Sequence, residues 1–159
     1  RTWLNIVIGG LAGSFAALAG SAAVDPALPA AAWAFAAALF FWTPPHFWSL
    51  AYYNKRDYER AGIPMLPNLL PDRLTAGVVL AHTVVLVALT LLPPLLATGW
   101  LYGVCALIGG ALFLRASITF VREPTRANGL ANFHASLWQL GLLLTGAIAS
   151  GIVADWFVA

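Results

Sequence analysis

Residues 41–67 read FWTPPHFWSLAYYNKRDYERAGIPMLP, and the class of fold turns on them. The stretch begins as an apolar aromatic run and places Pro44, Pro45 and His46 where a membrane span should hold nothing polar. It then passes abruptly into Asn54-Lys55-Arg56-Asp57-Tyr58-Glu59-Arg60. Five of the fourteen charged residues in the chain fall in those seven positions. A helix interrupted by proline, bearing an ionisable group and opening into a dense polar loop, is where a membrane protein can meet a greasy substrate from one side and a charged one from the other.

The rest of the chain defines the solvent. Of 159 residues, 61% are hydrophobic and 9% charged, against roughly 25% charged in soluble domains. We therefore expect an integral membrane protein, all-α, folded as a polytopic transmembrane helical bundle with one domain over residues 1–159. That length admits about five or six spans of about 20 apolar residues each. The chain opens at Arg1 without methionine, and its first apolar run has neither a basic leader nor a cleavage pattern. The expectation is the C-terminal part of a longer transmembrane domain whose N-terminal helices precede it. Cys105 is alone, which excludes an intrachain disulfide and gives no support to a metal cluster. Nothing supports nucleic acid as a partner.

Working outward, five spans are expected at about 5–24, 30–53, 74–92, 100–121 and 130–154, with a polar loop over 54–73. Gly9, Gly10, Gly13 and Gly20 leave the first span without bulk, open to another helix backbone or to a flat ligand. Tilt or a kink is expected at Pro44-Pro45. Within the loop, Pro64, Pro67 and Pro71 prevent a continuous helix, leaving room for a short one around Asp57 to Ala61. Turns are expected at Asp25-Pro26 and Pro93-Pro94. Arg115 should snorkel toward the span end, and Trp156 should anchor the far end of the fifth span.

Charge tests this topology. Five spans put Arg1, Lys55, Arg56, Arg60, Arg73, Arg115, Arg122 and Arg126 on or near one side and no Lys or Arg on the other. The positive-inside rule makes the charged side cytoplasmic.

His46 leads the candidate chemistry, because eight residues before the charged loop place it about 12 Å inside the helix end. Helical spacing sets Thr43, His46, Tyr53 or Asn54, and Asp57 near one face, a polar stripe descending into the bilayer. Two readings stand for His46: a hydrogen bond to a backbone carbonyl freed by Pro45, or a contact to substrate or iron. His82, in an apolar run, reads as a packed residue. His134 faces either a polar chamber or the interface. In the loop, Lys55, Arg56 and Arg60 suit a diphosphate, while Asp57 and Glu59 suit the Mg²⁺ that neutralises it. The plainer alternative is a solvated basic loop touching anionic membrane lipid.

Three ordered motifs carry a resemblance. They are Asn5-Ile6-Val7-Ile8-Gly9-Gly10-Leu11-Ala12-Gly13, then Trp42-Thr43-Pro44-Pro45-His46-Phe47-Trp48-Ser49-Leu50-Ala51, then Asp57-Tyr58 with Ala61-Gly62-Ile63-Pro64-Met65-Leu66-Pro67. Together they resemble the protohaem IX farnesyltransferases, or haem O synthases, of the UbiA superfamily of intramembrane prenyltransferases. The resemblance covers essentially the whole chain and corresponds to the last five of nine helices.

It implies a bundle around a lateral chamber, capped on the cytoplasmic side by two acidic motifs that bind Mg²⁺ and diphosphate. It implies Asp57 as a catalytic and metal or diphosphate residue, Lys55 and Arg56 as its basic neighbours, and His46 and Asn5 as substrate-binding residues; the loop's charge adds Arg60 and the helical stripe adds Tyr53 to the expected substrate-binding set. The implied reaction moves a farnesyl group from farnesyl diphosphate to a vinyl group of haem B, with haem A synthase as a possible partner and a bacterial plasma membrane as the setting. The first acidic motif is absent, so the chain alone is expected to be inactive. Arg56 stands where the family often has an acid, Ala16-Ala17 replaces a frequent proline pair, and residues 68–72 depart from the usual sequence. A related enzyme using a quinone precursor, and a haem-handling protein without catalysis, are the alternatives.

Overall fold

The computed structural model describes residues 2–92 and 99–158, with side chains as far as Gly151. Arg1, the Pro93-Pro94 turn and the side chain of Trp156 lie outside the described residues. Seven helices appear within them and no strand: α1 (Asn5–Val24), α2 (Ala30–Tyr53), α3 (Lys55–Arg60), α4 (Leu66–Leu69), α5 (Asp72–Thr90), α6 (Trp100–Arg122) and α7 (Arg126–Val158).

Local chemistry accounts for the boundaries. Asp25 ends α1, its backbone N–H donating to the Ser21 carbonyl and its carboxylate accepting from the Ala27 N–H at 2.9 Å. Pro29, extended at φ −60° and ψ 156°, caps the start of α2. Gly62 turns the chain after α3 with φ +63°, a conformation in which glycine meets no Cβ penalty. The expected short helix therefore exists but starts two residues earlier, at Lys55. Pro67 sits in the first turn of α4, where its missing N–H is harmless.

The second helix carries Pro44 and Pro45 and remains one helix of 24 residues. Those prolines leave the carbonyls of Phe40 and Phe41 without their usual donors four residues on. The first helix lies against one of them: a Cβ built on Gly10 would stand 3.5 Å from the Phe40 oxygen and 3.3 Å from Thr43 Cβ. Gly10 therefore permits the close approach. By contrast, Gly9, Gly13 and Gly20 meet nothing within 4 Å, so only one of the four expected small residues lies in a described helix contact.

Four long helices close a ring, with α2 against α5, α5 against α6, α6 against α7, and α7 back against α2. The outlier is α1, which packs chiefly on α2. Only 11% of the apolar window of α1 is buried, against 39% for α5 and 33% for α6. These three helices are long and apolar enough to cross a membrane. The other two long helices reach the length; α2 is diluted by proline, histidine and tyrosine, and the part of α7 with described side chains, Arg126 to Gly151, by its polar first turns.

Inside the ring, a hydrogen-bond chain ties all four helices. Thr83 and Ser117 hydroxyls lie 3.1 Å apart, Ser117 donates to Asn132 Oδ1 at 2.8 Å, and Asn132 Nδ2 donates to Ser49 Oγ at 2.8 Å. Ser49 in turn donates to the Pro45 carbonyl. All four side chains are fully buried. Each of the four side chains has at least two hydrogen-bond partners, which keeps polar groups stable in a hydrocarbon setting.

Candidate functional site

The six residues of α3 face two ways. Lys55, Arg56 and Glu59 recur at helical spacing on one side, and Asp57 and Arg60 fall on the other. The first set joins Tyr52, Tyr53, Asp72 and Arg126 around a cleft of about 310 Å³. Asp57 lines a neighbouring cleft of about 290 Å³ with Asn54, Tyr58, Ala61 and Ile63. Lys55 and Arg56 are thus adjacent to Asp57 in the chain and separate from it in space.

The cationic cleft is assembled from distant segments. Lys55 Nζ pairs with Asp72 Oδ1 at 2.9 Å and lies 5.8 Å from the centre of the Tyr52 ring. Asn68 Nδ2 donates to the Lys55 carbonyl at 2.9 Å, holding α4 beneath α3. On the opposite wall, Arg126 Nε donates to the Tyr53 carbonyl at 2.9 Å, and its guanidinium stacks 4.8 Å over the Tyr53 ring. The Tyr52 hydroxyl donates to the Pro124 carbonyl at 2.7 Å, which ties the end of α2 to the connection before α7. Sequence reasoning named Lys55, Arg56, Glu59 and Tyr53 here and gave Tyr52, Asp72 and Arg126 no place in the site. Tyr52 reads as one more aromatic residue of its span and Asp72 and Arg126 as ordinary polar residues, and only the fold brings 52, 72 and 126 together.

The other expected site residues lie at the edge. Arg60 Nη1 stands 3.9 Å from Asp57 Oδ1, and both side chains are largely exposed, at 80% and 73%. Asp57 therefore has only a loose partner. Asn5, at the start of α1, donates from Nδ2 to Met65 Sδ at 3.4 Å. It binds the opening of the first helix to the Ile63-Pro64-Met65 segment and lines neither cleft.

His46 is buried and committed to α7. Its Nδ1 lies 2.7 Å from Ser136 Oγ, its ring stacks on Trp42 at 4.2 Å, and Phe133 flanks it at 4.6 Å. Ser136 donates its single hydroxyl proton to the Phe133 carbonyl at 2.6 Å, so Nδ1 of His46 is the donor in the shared bond and Nε2 keeps its lone pair. The Trp42 indole N–H donates to the Ser136 carbonyl at 3.0 Å and fixes the same residue from the other side. A serine hydroxyl, not a carbonyl freed by Pro45, is thus the partner of Nδ1. The expected single polar stripe is divided as well. Thr43 turns to the Leu39 carbonyl and to Gly10 of α1, whereas His46 turns to α7.

Of the remaining histidines, His82 hydrogen bonds the Val78 carbonyl through Nδ1 at 2.9 Å and packs edge-on to Trp48 at 5.1 Å, a satisfied residue as expected. His134 lines a groove between α6 and α7 that also holds Arg115.

The arrangement can bind a polyvalent anion: three cations outnumber the two carboxylates of Glu59 and Asp72, the latter paired with Lys55, and two aromatic rings and fixed backbone complete the opening. Among the described residues no group of three His, Cys, Asp or Glu side chains is placed to hold a metal ion. Mg²⁺ commonly uses one or two carboxylates together with substrate phosphate, and the free Asp57 carboxylate fits that mode rather than an all-protein cage.

Comparison with known proteins identifies the family. The UbiA prenyltransferase family matches residues 1–140. Protoheme IX farnesyltransferase 2 of Paramagnetospirillum magneticum is 50% identical over 97% of this chain and 54% of its own length. Protoheme IX farnesyltransferase 1 of the same organism is 46% identical over 94% and 53% respectively. The Thermus thermophilus protoheme IX farnesyltransferase is 42% identical over 90% of this chain and 24% of its own length. The chain therefore spans about half the length of the first two relatives, at 54% and 53%. No solved structure matches it. With its helical ring, its apolar spans and a match over most of its length, the chain belongs to the UbiA prenyltransferase family.

Proposed function

We propose that this chain is the C-terminal part of a haem O synthase, which moves a farnesyl group from farnesyl diphosphate to a vinyl group of haem B. The observation that carries the reading is the cleft where Lys55, Arg56 and Arg126 converge with Tyr52 and Tyr53 at the polar end of α2. His46 lies seven residues deeper in the same helix, about 10 Å along its axis. A diphosphate head at the cleft and an isoprenoid tail along the apolar helices match this polarity. The names of the relatives supply the acceptor.

In this reading the cations hold the diphosphate while the bond from its oxygen to the allylic carbon breaks, and the electron pair leaves with oxygen. The vinyl carbon of haem B attacks the allylic cation, the resulting cation takes up water, and loss of a proton leaves the hydroxyl. Fixed positive charge stabilises the departing group, and exclusion of bulk water protects the cation. Lys55 is held in place by Asp72, and Arg126 by the Tyr53 carbonyl and ring. Glu59, on the wall of this cleft, and Asp57, in the neighbouring cleft on the other face of α3, are the carboxylates available to Mg²⁺, which would add charge neutralisation at the diphosphate. Nε2 of His46 is the contact offered to haem B. The charged loop faces the cytoplasm of a bacterial plasma membrane, and the product passes to haem A synthase.

The test uses membranes bearing the protein at its full native length, incubated with haem B, farnesyl diphosphate and Mg²⁺. Mass spectrometry is expected to find hydroxyethylfarnesyl haem. Its absence, under conditions where a Paramagnetospirillum relative produces it, would sink the reading, and prenylation of a quinone precursor instead would replace it.

A further inference from the structure

The groove between α6 and α7 is larger than the cationic cleft, about 450 Å³, and the reading above gives it no task. Its two ionisable residues stand level with each other. Arg115 lies seven residues before Arg122, and His134 eight residues after Arg126, so both sit about 10–12 Å inside the polar helix ends. The groove is graded in polarity. Thr119 and Asn128 occupy its polar end, while Leu112 and Trp138 lie one turn beyond the charged pair, 45% and 70% exposed.

Three features ask for an anion of amphiphilic shape. Among the described residues the Arg115 guanidinium has no ion pair, the two pairs present being Lys55 with Asp72 and Arg60 with Asp57. No Asp or Glu occurs from Trp100 to Arg122 or from Arg126 to Gly151. Ile118 and Leu137, outside the groove lining and exposed at 40% and 45%, extend the greasy surface that Leu112 and Trp138 begin, while Ser117 and Asn132 are fully buried in the ring. An unpaired arginine on a lipid-facing surface, just below headgroup depth, needs a counter-charge that the membrane can supply.

We propose that this groove binds one anionic phospholipid, its phosphodiester held by Arg115 and His134 and an acyl chain lying along Leu112 and Trp138. Arg115 donates from two guanidinium nitrogens to the phosphate oxygens, the geometry at which arginine excels. The ring N–H of His134 adds a third donor.

Native mass spectrometry of the protein at its full native length, released from detergent in the presence of equal phosphatidylglycerol and phosphatidylcholine, reads this directly. The expected result is one retained lipid with phosphatidylglycerol favoured by at least about fivefold. Arg115→Gln should lower that preference by roughly fivefold, equivalent to about 1 kcal/mol per basic residue. Arg115→Lys should retain part of it, and Arg122→Gln, an equal charge change outside the groove, should leave it intact. Equal retention of the two lipids by the wild type would overturn the proposal. So would an Arg122→Gln effect as large as that of Arg115→Gln, since general surface charge would then explain it. Should Arg115→Gln fail to insert, the wild-type preference and its decrease in His134→Gln decide the matter in its place.

Discussion

Lys55 Nζ stands 2.9 Å from Asp72 Oδ1, joining the first residue of α3 to the first residue of α5. Their side chains are 38% and 50% exposed. A pair this open to solvent contributes about 0–1 kcal/mol, so its consequence is positional: it holds one wall of the cationic cleft.

Asp72→Asn should therefore separate stability from function. Thermal unfolding is expected to change by no more than about 1 kcal/mol, while KM for farnesyl diphosphate in the full-length protein rises. A loss of folding that matches the loss of activity would show that the pair is structural only.

Asp57 has no close partner in the structure, with Arg60 at 3.9 Å, and its carboxylate is 73% exposed. Asp57→Ala should leave insertion and helix content unchanged and reduce turnover by about tenfold or more, about 1.4 kcal/mol of barrier. The Mg²⁺ concentration for half-maximal rate should rise with it. Unchanged Mg²⁺ dependence would remove Asp57 from the metal and leave Glu59 as the carboxylate to test.

Ser136 orients His46 by accepting from Nδ1 at 2.7 Å. Ser136→Ala leaves that buried donor unpaired, at a cost of about 1–3 kcal/mol in stability. It also frees the ring to rotate against Trp42. Titration of the variant with haem B should give a weaker and shifted absorbance change relative to wild type. A variant that unfolds at lower temperature but binds haem B with an identical spectrum would confine Ser136 to packing.

Gln139 is fully buried, and neither Nε2 nor Oε1 finds a partner among the described residues. Gly109 packs against it, a Cβ built there standing 3.1 Å from Gln139 Cα. Gln139→Met keeps the volume and removes two unsatisfied atoms. It should raise the unfolding temperature, with a gain of about 1–3 kcal/mol. No gain would indicate that a buried water bonds the amide, and hydrogen-exchange protection near Gln139 would then fall in the variant.

Hydropathy and helix breakers made much of the architecture legible. The first two helices begin and end where Asp25, Pro29 and Asn54 punctuate the sequence, at 5–24 and 30–53. The fifth and seventh helices begin earlier than their apolar runs, at Asp72 and Arg126 rather than Leu74 and Leu130. Hydropathy reports where lipid begins, and a helix continues past that point whenever polar residues such as Asp72-Arg73 can cap or extend it.

What the chain order determined alone is its solvent, its helical class, the density of charge after Tyr53 and the family motifs around His46 and Asp57. Tertiary structure decided which way those residues look. His46 turned to Ser136, ninety positions away. The helix α3 divided Lys55 and Arg56 from Asp57, and Asp72 and Arg126 arrived to complete the cleft. The reason is geometric: periodicity sets the angle between residues on one helix, but the rotation of that helix about its axis is settled only by neighbours that are remote in sequence.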